Sequence, residues 1–298
     1  MRIYCTVSDS NFLPYGLALH KSLKTHSDKF QLYYLCTDTE AYNILTALAL
    51  PDLIPVFLED LKAEDPVLAG AANLPPSYEA LNVGSRTNID PKQVQFFWCL
   101  TAYFTWHTLN RDDVDEVLYI DADICFFGDV KTVFAEIGDK SIGIVRHRIP
   151  YNPAVGEYNV GIVYFRKTLK GYQCSDWWKT CLLHPTNPHY KTHGICGDQK
   201  YLELFEPLFK DVCVVDKTVG HLAPWNYRNH GYTDDSILWN GTEQPLIYIH
   251  FSNFKPDYEN NTYEIAPRHG LNKGNIHPFV KDKYDEYFNL TKKMRDLP

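Results

Sequence analysis

Several features of common protein classes are missing from this sequence of 298 residues. It contains no Cys-x-x-Cys pair and no compact cysteine and histidine spacing of the zinc-binding kind. The start, residues 1–5, lacks the layout of a signal peptide. No apolar stretch reaches the ~18 residues that a membrane-spanning helix requires. These absences predict a cytoplasmic protein whose eight cysteines are mostly reduced, packed thiols.

Positive charge is also scarce. The chain has 29 lysines and arginines against 37 aspartates and glutamates, and its formal net charge is −8. This balance argues against nucleic acid as a partner and gives no help in binding an anionic membrane. An anionic ligand would need a metal ion or a local basic cluster to offset the repulsion.

Apolar runs and helical patterns alternate through the first half of the chain. Residues 2–7, 31–37 and 53–57 predict buried strands, and helical patterns cover residues 14–26 and 41–50. This alternation favours right-handed crossovers and a mostly parallel central sheet.

The next segments complete this half. Residues 62–90 are rich in proline, asparagine and glycine, and they predict a loop region. An aromatic-rich helix at 93–109 and a strand at 117–120 follow.

After residue 141 the alternation ends. The predicted elements are three strands of a mixed continuation of the sheet and two helices, at 142–146, 160–165, 246–251, about 168–183 and 198–209. Residues 278–295 have aromatic residues at helical spacing and predict an amphipathic helix. Such a helix offers a candidate surface for peripheral membrane contact.

Two aspartates follow the predicted strand at 117–120. Asp121 and Asp123 flank Ala122, and a second apolar run begins at Ile124. Because burial of unpaired charge is costly, two carboxylates at this place need a cation. A hard divalent metal takes oxygen ligands and keeps positions open for phosphates. The pattern is typical of the Asp-x-Asp motif, which holds a metal against the diphosphate of a nucleotide sugar.

Other polar groups stand at predicted strand ends, where open α/β sheets bind their ligands. Residues 8–11, Ser-Asp-Ser-Asn, can bind a base or a ribose, and they can also cap the next helix. His250 ends a later strand and Lys255 follows it, which fits a third metal ligand and a phosphate contact. A lone histidine at a strand end can also be structural. An imidazole ligand would favour Mn²⁺ over Mg²⁺.

Amide and carboxylate side chains in the second half can fix sugar hydroxyls. The candidate sugar contacts are Asn159, Gly161, Asp198, Gln199, Trp225 and Asn226. Two alternatives stay open at this stage: Asn159 can be a turn residue, and Asp198 can cap the following helix.

Together these motifs resemble GT-A glycosyltransferases, near the glycogenin-like family eight enzymes and some bacterial nucleotide-diphospho-sugar transferases. The resemblance covers residues 3 to about 256. Residues 6–12 are similar to the uridine-binding start of that family, and Asp121 and Asp123 match its metal motif. Residues 250–256 are similar to its His-x-x-Gly-x-x-Lys-Pro element, except that Asn253 stands where glycine is usual.

The resemblance implies an α/β chain of the GT-A fold, with a Rossmann-like, mostly parallel sheet and a mixed C-terminal extension. Residues 1–298 would form one catalytic domain. Its parts would be a nucleotide-binding half at 1–140, a donor-sugar and acceptor half at 141–260, and a tail with the amphipathic helix at 261–298.

The resemblance also implies residue roles. The nucleotide would be held by Thr6, Val7, Asp9, Asn11, Arg86, Asp121 and Ala122. Arg86, or alternatively Lys92, would replace a basic residue that the helix at 93–109 lacks. The metal, Mn²⁺ or Mg²⁺, would be held by Asp121, Asp123 and His250, and the catalytic residues would be Asp198, Gln199 and Lys255.

The activity implied is transfer of a hexose from a UDP-sugar to a hydroxyl of a glycan or a lipid-linked saccharide, with retention of configuration. An inverting enzyme would instead need a carboxylate base, for which Glu157, Asp234 and Asp235 are candidates. A sugar-1-phosphate nucleotidyltransferase would carry a basic, glycine-rich loop after the first strand. Residues 8–13 contain neither glycine nor lysine, which disfavours that class.

Overall fold

The protein is described by a computed structural model that covers residues 1–87, 89–153, 155–183, 197–234 and 236–297. In chain order the strands are β1 (Arg2–Ser8), β2 (Phe30–Cys36), β3 (Leu53–Phe57), β4 (Glu116–Ile120), β5 (Ile124–Phe126), β6 (Ile142–Arg146), β7 (Tyr158–Arg166), β8 (Val212–Val215), β9 (Gly220–Leu222), β10 (Gly231–Tyr232), β11 (Ser236–Trp239), β12 (Thr242–His250), β13 (Lys255–Asp257) and β14 (Thr262–Glu264). The α-helices are α1 (Leu13–His26), α2 (Thr39–Leu48), α3 (Leu58–Glu64), α4 (Pro66–Ala71), α5 (Tyr78–Thr87), α6 (Pro91–Leu109), α7 (Lys131–Ile137), α8 (Leu169–Leu183), α9 (Phe205–Phe209) and α10 (Pro278–Arg295).

A seven-stranded sheet forms the centre, in the order β3-β2-β1-β4-β7-β6-β8. Strands β3, β2, β1 and β4 run parallel, and β6 and β8 are parallel to each other. Strand β7 is antiparallel to both of its neighbours. The predicted mostly parallel sheet is therefore confirmed. Because β7 runs against β4, its amino end lies beside the carboxyl end of β4.

A second sheet differs from the sequence prediction. Strand β12, expected as part of the continuation of the central sheet, pairs instead with β5, β9 and β11. Its antiparallel register with β5 sets His250 opposite Ile124. The apolar run after the two aspartates therefore forms β5, which belongs to this second sheet. The pairing of β5 with β12 brings the Asp-x-Asp segment next to the strand that ends in His250.

Both faces of the central sheet are covered by apolar side chains. One core includes Cys5, Val7, Leu100 and Trp178, between the sheet and helices α6 and α8. The other includes Leu17 of α1 and Phe134 of α7 on the opposite face. Alternate residues of buried strands point to opposite faces, which explains the nearly continuous apolar runs of the sequence. Buried thiols outside any disulfide include Cys5, Cys36, Cys99, Cys125 and Cys174.

The loop predicted for residues 62–90 is wrong, because this region forms the end of α3 and the short helices α4 and α5. Asp65 caps α4 by accepting hydrogen bonds from the backbone N–H groups of Val67 (2.8 Å) and Leu68 (3.3 Å). Pro66 occupies the first helical turn, where its missing N–H has no intrahelical partner to lose. Proline therefore begins a helix here, although its presence in the sequence favoured the prediction of a loop.

The C-terminal helix has the predicted bounds, but its apolar face is not available to a membrane. Val280, Tyr284, Tyr287 and Phe288 are buried in a third core with side chains of the second sheet. The predicted peripheral membrane contact therefore cannot use these side chains, and contact through the rest of the helix stays a prediction. Within the described ranges, no helix combines the length and apolar composition needed to cross a membrane.

Candidate active site

A cleft of about 650 Å³ opens at the carboxyl ends of β1 and β4. Its lining residues include polar groups from these strand ends and apolar groups from α5, α6 and the segments beside them: Val7, Ser8, Asp9, Asn11, Phe12, Val83, Ile89, Gln93, Val94, Phe97, Trp98, Thr101, Tyr119, Asp121, Ala122, Asp123, Val160 and Asp198. Four of these side chains are carboxylic acids. No lysine or arginine belongs to the lining among the described residues.

Three potential metal ligands meet at one side of this cleft. Oxygens of Asp121 and Asp123 and a ring nitrogen of His250 all lie within 4.8 Å of one another. His250 Nε2 is 3.0 Å from Asp123 Oδ1 and 3.6 Å from Asp121 Oδ2. The sequence prediction that these three residues come together is consistent with this geometry.

Backbone hydrogen bonds fix the cluster in the fold. The Asp121 N–H donates to the carbonyl of Gly161 on β7 (2.9 Å), and the Phe251 N–H donates to the carbonyl of Asp123 (2.9 Å). The Tyr119 hydroxyl donates to Asp121 Oδ1 at 2.8 Å. The two aspartates are thereby attached both to the central sheet and to the end of β12.

The charges of the cluster act on one another. Burial raises the pKa of Asp121 and outweighs the opposing attraction of His250, while Asp123 adds to the rise. For His250, burial lowers the pKa, but the carboxylates of Asp123 and Asp121 more than reverse it, so the pKa is raised. Two carboxylates and an imidazole in a partly buried cluster are a donor set that fits a divalent cation such as Mn²⁺ or Mg²⁺.

Asp198 is a fourth acidic group of the cleft. Its side chain makes no capping hydrogen bond to the following 3-10 helix, so the capping alternative is not supported. Burial, followed by the nearby charge of Asp121, raises the pKa of Asp198 to about 7. Gly197, at φ +55°, precedes it, and an added Cβ would lie 2.7 Å from the ring of Trp98. A side chain at position 197 would therefore clash with Trp98.

The end of β1 supplies the predicted nucleotide contacts Val7, Asp9 and Asn11, which all line the cleft. Asp9 also accepts a hydrogen bond from the Phe12 N–H (3.0 Å), so it caps the short 3-10 helix as well. Asp38, at the end of β2, accepts from the N–H (2.8 Å) and hydroxyl (2.9 Å) of Ser10. The loop that follows β1 is therefore fixed by a side chain that follows the neighbouring strand β2.

Other predicted nucleotide contacts differ in position. Ala122 lines the cleft, whereas Thr6 is fully buried outside its lining. Lys92 is exposed and is not part of the lining. The side chain of Arg86 lies outside the described part of the chain.

Asn159 and Gln199 form a chain of side-chain contacts that leads to His250. Asn159 lies within β7, so the turn alternative is wrong. Its Oδ1 accepts from the Gly161 N–H (3.0 Å) and lies 3.3 Å from His250 Nδ1. Its Nδ2 donates to Gln199 Oε1 (3.0 Å), and Gln199 Nε2 donates to the carbonyl of Val155 (2.8 Å).

Trp225, which precedes Asn226 in a loop, also contacts His250. The Trp225 ring meets the His250 ring edge-on, with centroids 5.2 Å apart. Asn226 is fully buried, accepts from the Ala223 N–H (2.9 Å) and donates to the carbonyl of His147 (3.1 Å). Its amide therefore stabilises the loop that carries Trp225.

Lys255 lies on β13 after a turn that follows His250. Asn253 in this turn has φ +61°, a left-handed conformation that asparagine tolerates better than most residues other than glycine. This explains how asparagine can stand at the position where glycine was expected. The Lys255 side chain is exposed and lies outside the cleft lining.

Two candidate bases of an inverting enzyme, Glu157 and Asp234, are not brought into the cleft. Glu157 is ion-paired with Arg146, and Asp234 is exposed; neither belongs to the cleft lining. Asp235 lies outside the described residues.

Sequence reasoning missed Tyr119, Thr101 and Trp98, which line the cleft. Tyr119 could have been found, because it precedes Asp121 by two residues on a strand and so shares its face. Thr101 and Trp98 lie on α6, whose distance from the aspartates in sequence gives no such signal.

No protein-family model matches the chain. Two proteins of Bacillus subtilis (strain 168), both described as uncharacterized, are similar to it. YfnF is 27% identical over 297 residues, which are 95% of this chain and 90% of YfnF. YfnD is 30% identical over 242 residues, which are 78% of this chain and 71% of YfnD.

Solved glycosyltransferase structures share the architecture. The galactosyltransferase LgtC, in complex with donor and acceptor sugar analogues, matches with a TM-score of 0.60 and 15% identity, over 99% of this chain and 97% of LgtC. Mouse xyloside xylosyltransferase 1 matches with a TM-score of 0.53 and 15% identity, over 85% of this chain and 98% of the mouse chain. The predicted GT-A fold is confirmed.

Proposed function

The chain belongs to the protein family of YfnD of Bacillus subtilis, and we propose that it is a metal-dependent glycosyltransferase that uses a nucleotide-sugar donor. The observation that carries this proposal is the cluster of Asp121, Asp123 and His250 in a cleft of the GT-A fold. No lysine or arginine in the described lining could offset the charge of a diphosphate there. A bound cation can do so.

Asp121, Asp123 and His250 would hold the ion, and we propose Mn²⁺ because an imidazole belongs to the set. When bound, the ion supplies positive charge that neutralises the diphosphate of the donor and stabilises it as a leaving group. Tyr119 keeps Asp121 oriented by donating a hydrogen bond to it. This hydrogen bond stabilises the Asp121 carboxylate beside the like charge of Asp123.

For the donor we propose a UDP-sugar. Asp9 and Asn11 lie at the end of the cleft formed by β1, where hydrogen bonds can select a uracil base and its ribose. The apolar side chains of Phe97 and Trp98 line the wall and help to exclude water, which limits hydrolysis of the donor. Asp198, buried in the same cleft, is the group proposed to contact the transferred sugar.

The acceptor proposed is a hydroxyl of a glycan or of a lipid-linked saccharide, and the proposed outcome is retention. Retention without a covalent intermediate requires a firmly held leaving group and no dedicated base. The positions of Glu157 and Asp234 outside the cleft support this choice over inversion. Lys255 is proposed to approach the departing diphosphate and to balance its charge.

The test is a donor screen. The purified protein is incubated with Mn²⁺ and a panel of UDP- and GDP-sugars, and release of the nucleoside diphosphate is followed with and without EDTA. We expect release from a UDP-sugar, loss with EDTA and recovery with added Mn²⁺. Asp123→Asn should abolish it while the protein stays folded, because the change removes charge but keeps shape.

Two results would contradict the proposal: full activity in excess EDTA, or turnover of GDP-sugars alone. Once an acceptor is found, the anomeric signal in the NMR spectrum of the product decides the stereochemistry. An α-linkage from a UDP-α-sugar agrees with retention. A β-linkage requires a base and redirects attention to Glu157, Asp234 and Asp235.

A further inference from the structure

We propose that Asn159 and Gln199 are positioning residues that hold His250 in the tautomer with its proton on Nδ1, so that Nε2 is left for a metal ion. This inference rests on the metal site proposed above. It departs from the roles expected from the sequence, in which Asn159 and Gln199 contact the donor sugar. The contacts that carry it run from Val155 through Gln199 and Asn159 to His250.

Donor and acceptor of each hydrogen bond between Val155, Gln199, Asn159 and Gly161 follow from the backbone groups at the two ends of the series. At one end the Gly161 N–H can only donate, so the Asn159 atom 3.0 Å from it is the amide oxygen. At the other end the Val155 carbonyl can only accept, so the Gln199 atom 2.8 Å from it is the amide nitrogen. Gln199 Oε1 then accepts from Asn159 Nδ2 (3.0 Å), which agrees with the first assignment.

The tautomer of His250 follows from this direction. Asn159 Oδ1 is an acceptor, and His250 Nδ1 lies 3.3 Å from it, so Nδ1 must carry the proton to form the hydrogen bond. Nε2 faces the carboxylate oxygens Asp123 Oδ1 at 3.0 Å and Asp121 Oδ2 at 3.6 Å, to which a protonated ring donates, and a bound ion would take the place of that proton. A metal-binding histidine is commonly fixed in this way by a hydrogen bond at its other nitrogen.

Gly161 supplies the space for this arrangement. A Cβ at this position would lie 2.7 Å from Asn159 Oδ1 and 2.8 Å from His250 Nδ1. Both polar ends of the Gln199 amide are occupied by Asn159 and Val155. These two hydrogen bonds fix the direction of the amide and leave it one N–H and one lone pair for further contacts.

The test is NMR of the protein with ¹⁵N-labelled histidine, at a concentration of diamagnetic Mg²⁺ that saturates the wild type and displaces the Nε2 proton from Asp123. Long-range ¹H–¹⁵N correlations report which ring nitrogen carries the proton. In the wild type we expect a protonated Nδ1 and an unprotonated Nε2. Asn159→Leu should shift the proton to Nε2, where Asp123 can accept it, whereas Asn159→Asp keeps an oxygen acceptor and should retain the Nδ1 proton.

Mn²⁺ affinity, measured by titration with electron paramagnetic resonance, is the second readout. Loss of a hydrogen-bond partner of a ligand commonly weakens metal binding ~10- to 100-fold, and we expect this for Asn159→Leu. Gln199→Met should give a smaller loss, because it frees the Asn159 amide without touching His250. Asn289→Leu, on the exposed side of α10, is the control and should change neither readout.

A wild-type protein with the proton on Nε2 overturns the inference, and so does an Asn159→Leu protein that keeps both the tautomer and the affinity. If Asn159→Leu does not fold, the other two variants still test the inference. Gln199→Met should weaken Mn²⁺ binding, and Asn159→Asp should retain the Nδ1 proton. Failure of the wild type to bind Mn²⁺ would refute the proposed function instead. Without an ion, the Nδ1 proton of the protonated ring still tests the Asn159 contact, because it should exchange with water more slowly in the wild type than in Asn159→Leu.

Discussion

At the scale of single residues, Gly161 shows how one missing side chain permits a metal site. Its lack of a Cβ lets Asn159 and the ring of His250 meet across β7, since a methyl group would lie under 3 Å from both. Real Cβ contacts are essentially never this close, so one of the two side chains would have to move.

We therefore expect Gly161→Ala to displace the His250 ring and to weaken Mn²⁺ binding ~10-fold or more, with little loss of fold. Isothermal titration with Mn²⁺ measures the affinity, and thermal unfolding checks the fold. Gly70→Ala is the matched control, because an added Cβ there meets nothing within 4 Å. Unchanged affinity in Gly161→Ala would mean that His250 is not a ligand or that its ring adapts freely.

Lys255 is the second residue whose role can be tested alone. Its charge should matter most when the diphosphate departs, so Lys255→Ala should reduce kcat ~100-fold while the KM for the donor changes little. Steady-state kinetics with a varied UDP-sugar measure the two constants. Lys293→Ala removes an exposed lysine of α10 and serves as the control. A rise in KM alone would assign Lys255 to donor binding.

At the scale of elements, helix α10 supports the candidate metal site by packing on Phe251, the residue after His250. Tyr287 stacks on Phe251 with ring centroids 3.8 Å apart and planes at 10°, and Tyr284 meets the same ring edge-on at 4.8 Å. Phe251 follows His250 directly, and its N–H donates to the Asp123 carbonyl. The helix that the sequence suggested for a membrane surface therefore packs beneath two of the ligands.

This packing predicts a contrast between two variants of Tyr287. Its hydroxyl is buried and has no hydrogen-bond partner in the described part of the chain, so Tyr287→Phe should keep both stability and Mn²⁺ affinity. Tyr287→Ala should lower the free energy of unfolding by about 3–5 kcal/mol and weaken Mn²⁺ binding, because Phe251 loses its stacking partner. Urea denaturation and metal titration measure the two effects. Equal losses in both variants would show that the hydroxyl matters and that stacking is not the main support.

Elements with long apolar runs could be predicted from the sequence, because burial of each strand leaves a local signature. The helix at 93–109 and the tail helix at 278–295 were predicted on similar grounds, and they correspond to α6 and α10. The short helices of residues 62–90 could not be, since α4 has six residues and depends on a cap and on packing. Strand β12 was predicted, but its sheet was not, because pairing with β5 depends on a contact over more than 100 residues.

The residues of the site also differ in whether the local sequence predicts their role or a distant contact defines it. Asp121 and Asp123 have a local signal, an apolar strand that ends in two carboxylates. The contacts of Asn159 could not be predicted, because its partners Gln199 and His250 are 40 and 91 positions away in sequence. Residue type alone fitted a sugar contact equally well. The hydrogen-bond partners, which only the fold defines, support the positioning role proposed above, and the sugar contact stays a prediction.

At the scale of the whole molecule, a buried polar group links the two sheets. Arg148 is buried and donates to Asp216 Oδ1 (2.9 Å) and to the carbonyl of Val219 (3.0 Å). Its Nη1 lies 3.4 Å from His230 Nε2, and His230 Nδ1 lies 2.8 Å from the carbonyl of Asn226. A neutral His230, which donates from Nδ1 and accepts at Nε2, satisfies both contacts. A proton on Nε2 would face the guanidinium.

This arrangement makes His230 a source of acid sensitivity. Burial lowers the pKa of His230 to about 4, and the Arg148 charge acts in the same direction against the Asn226 hydrogen bond. Above pH ~6.5 the residue is neutral in both the folded and the unfolded protein, so it has no effect on stability there. As the pH falls from ~6.5 to about 4, only the unfolded chain takes up this proton, and stability decreases.

We expect His230 to account for a loss on the order of 2–3 kcal/mol in the free energy of unfolding between pH 7 and pH 4.5. The measurement is urea denaturation of the wild type and of His230→Gln at both pH values. The variant should lose less stability on acidification than the wild type by this amount, whatever its stability at pH 7. Asp198 and His147 also titrate differently in the folded protein, but both remain in the variant, so their contributions cancel in the comparison. An equal loss in the two proteins would show that His230 takes up its proton as readily in the folded state, and hence that burial and the Arg148 charge do not keep it neutral.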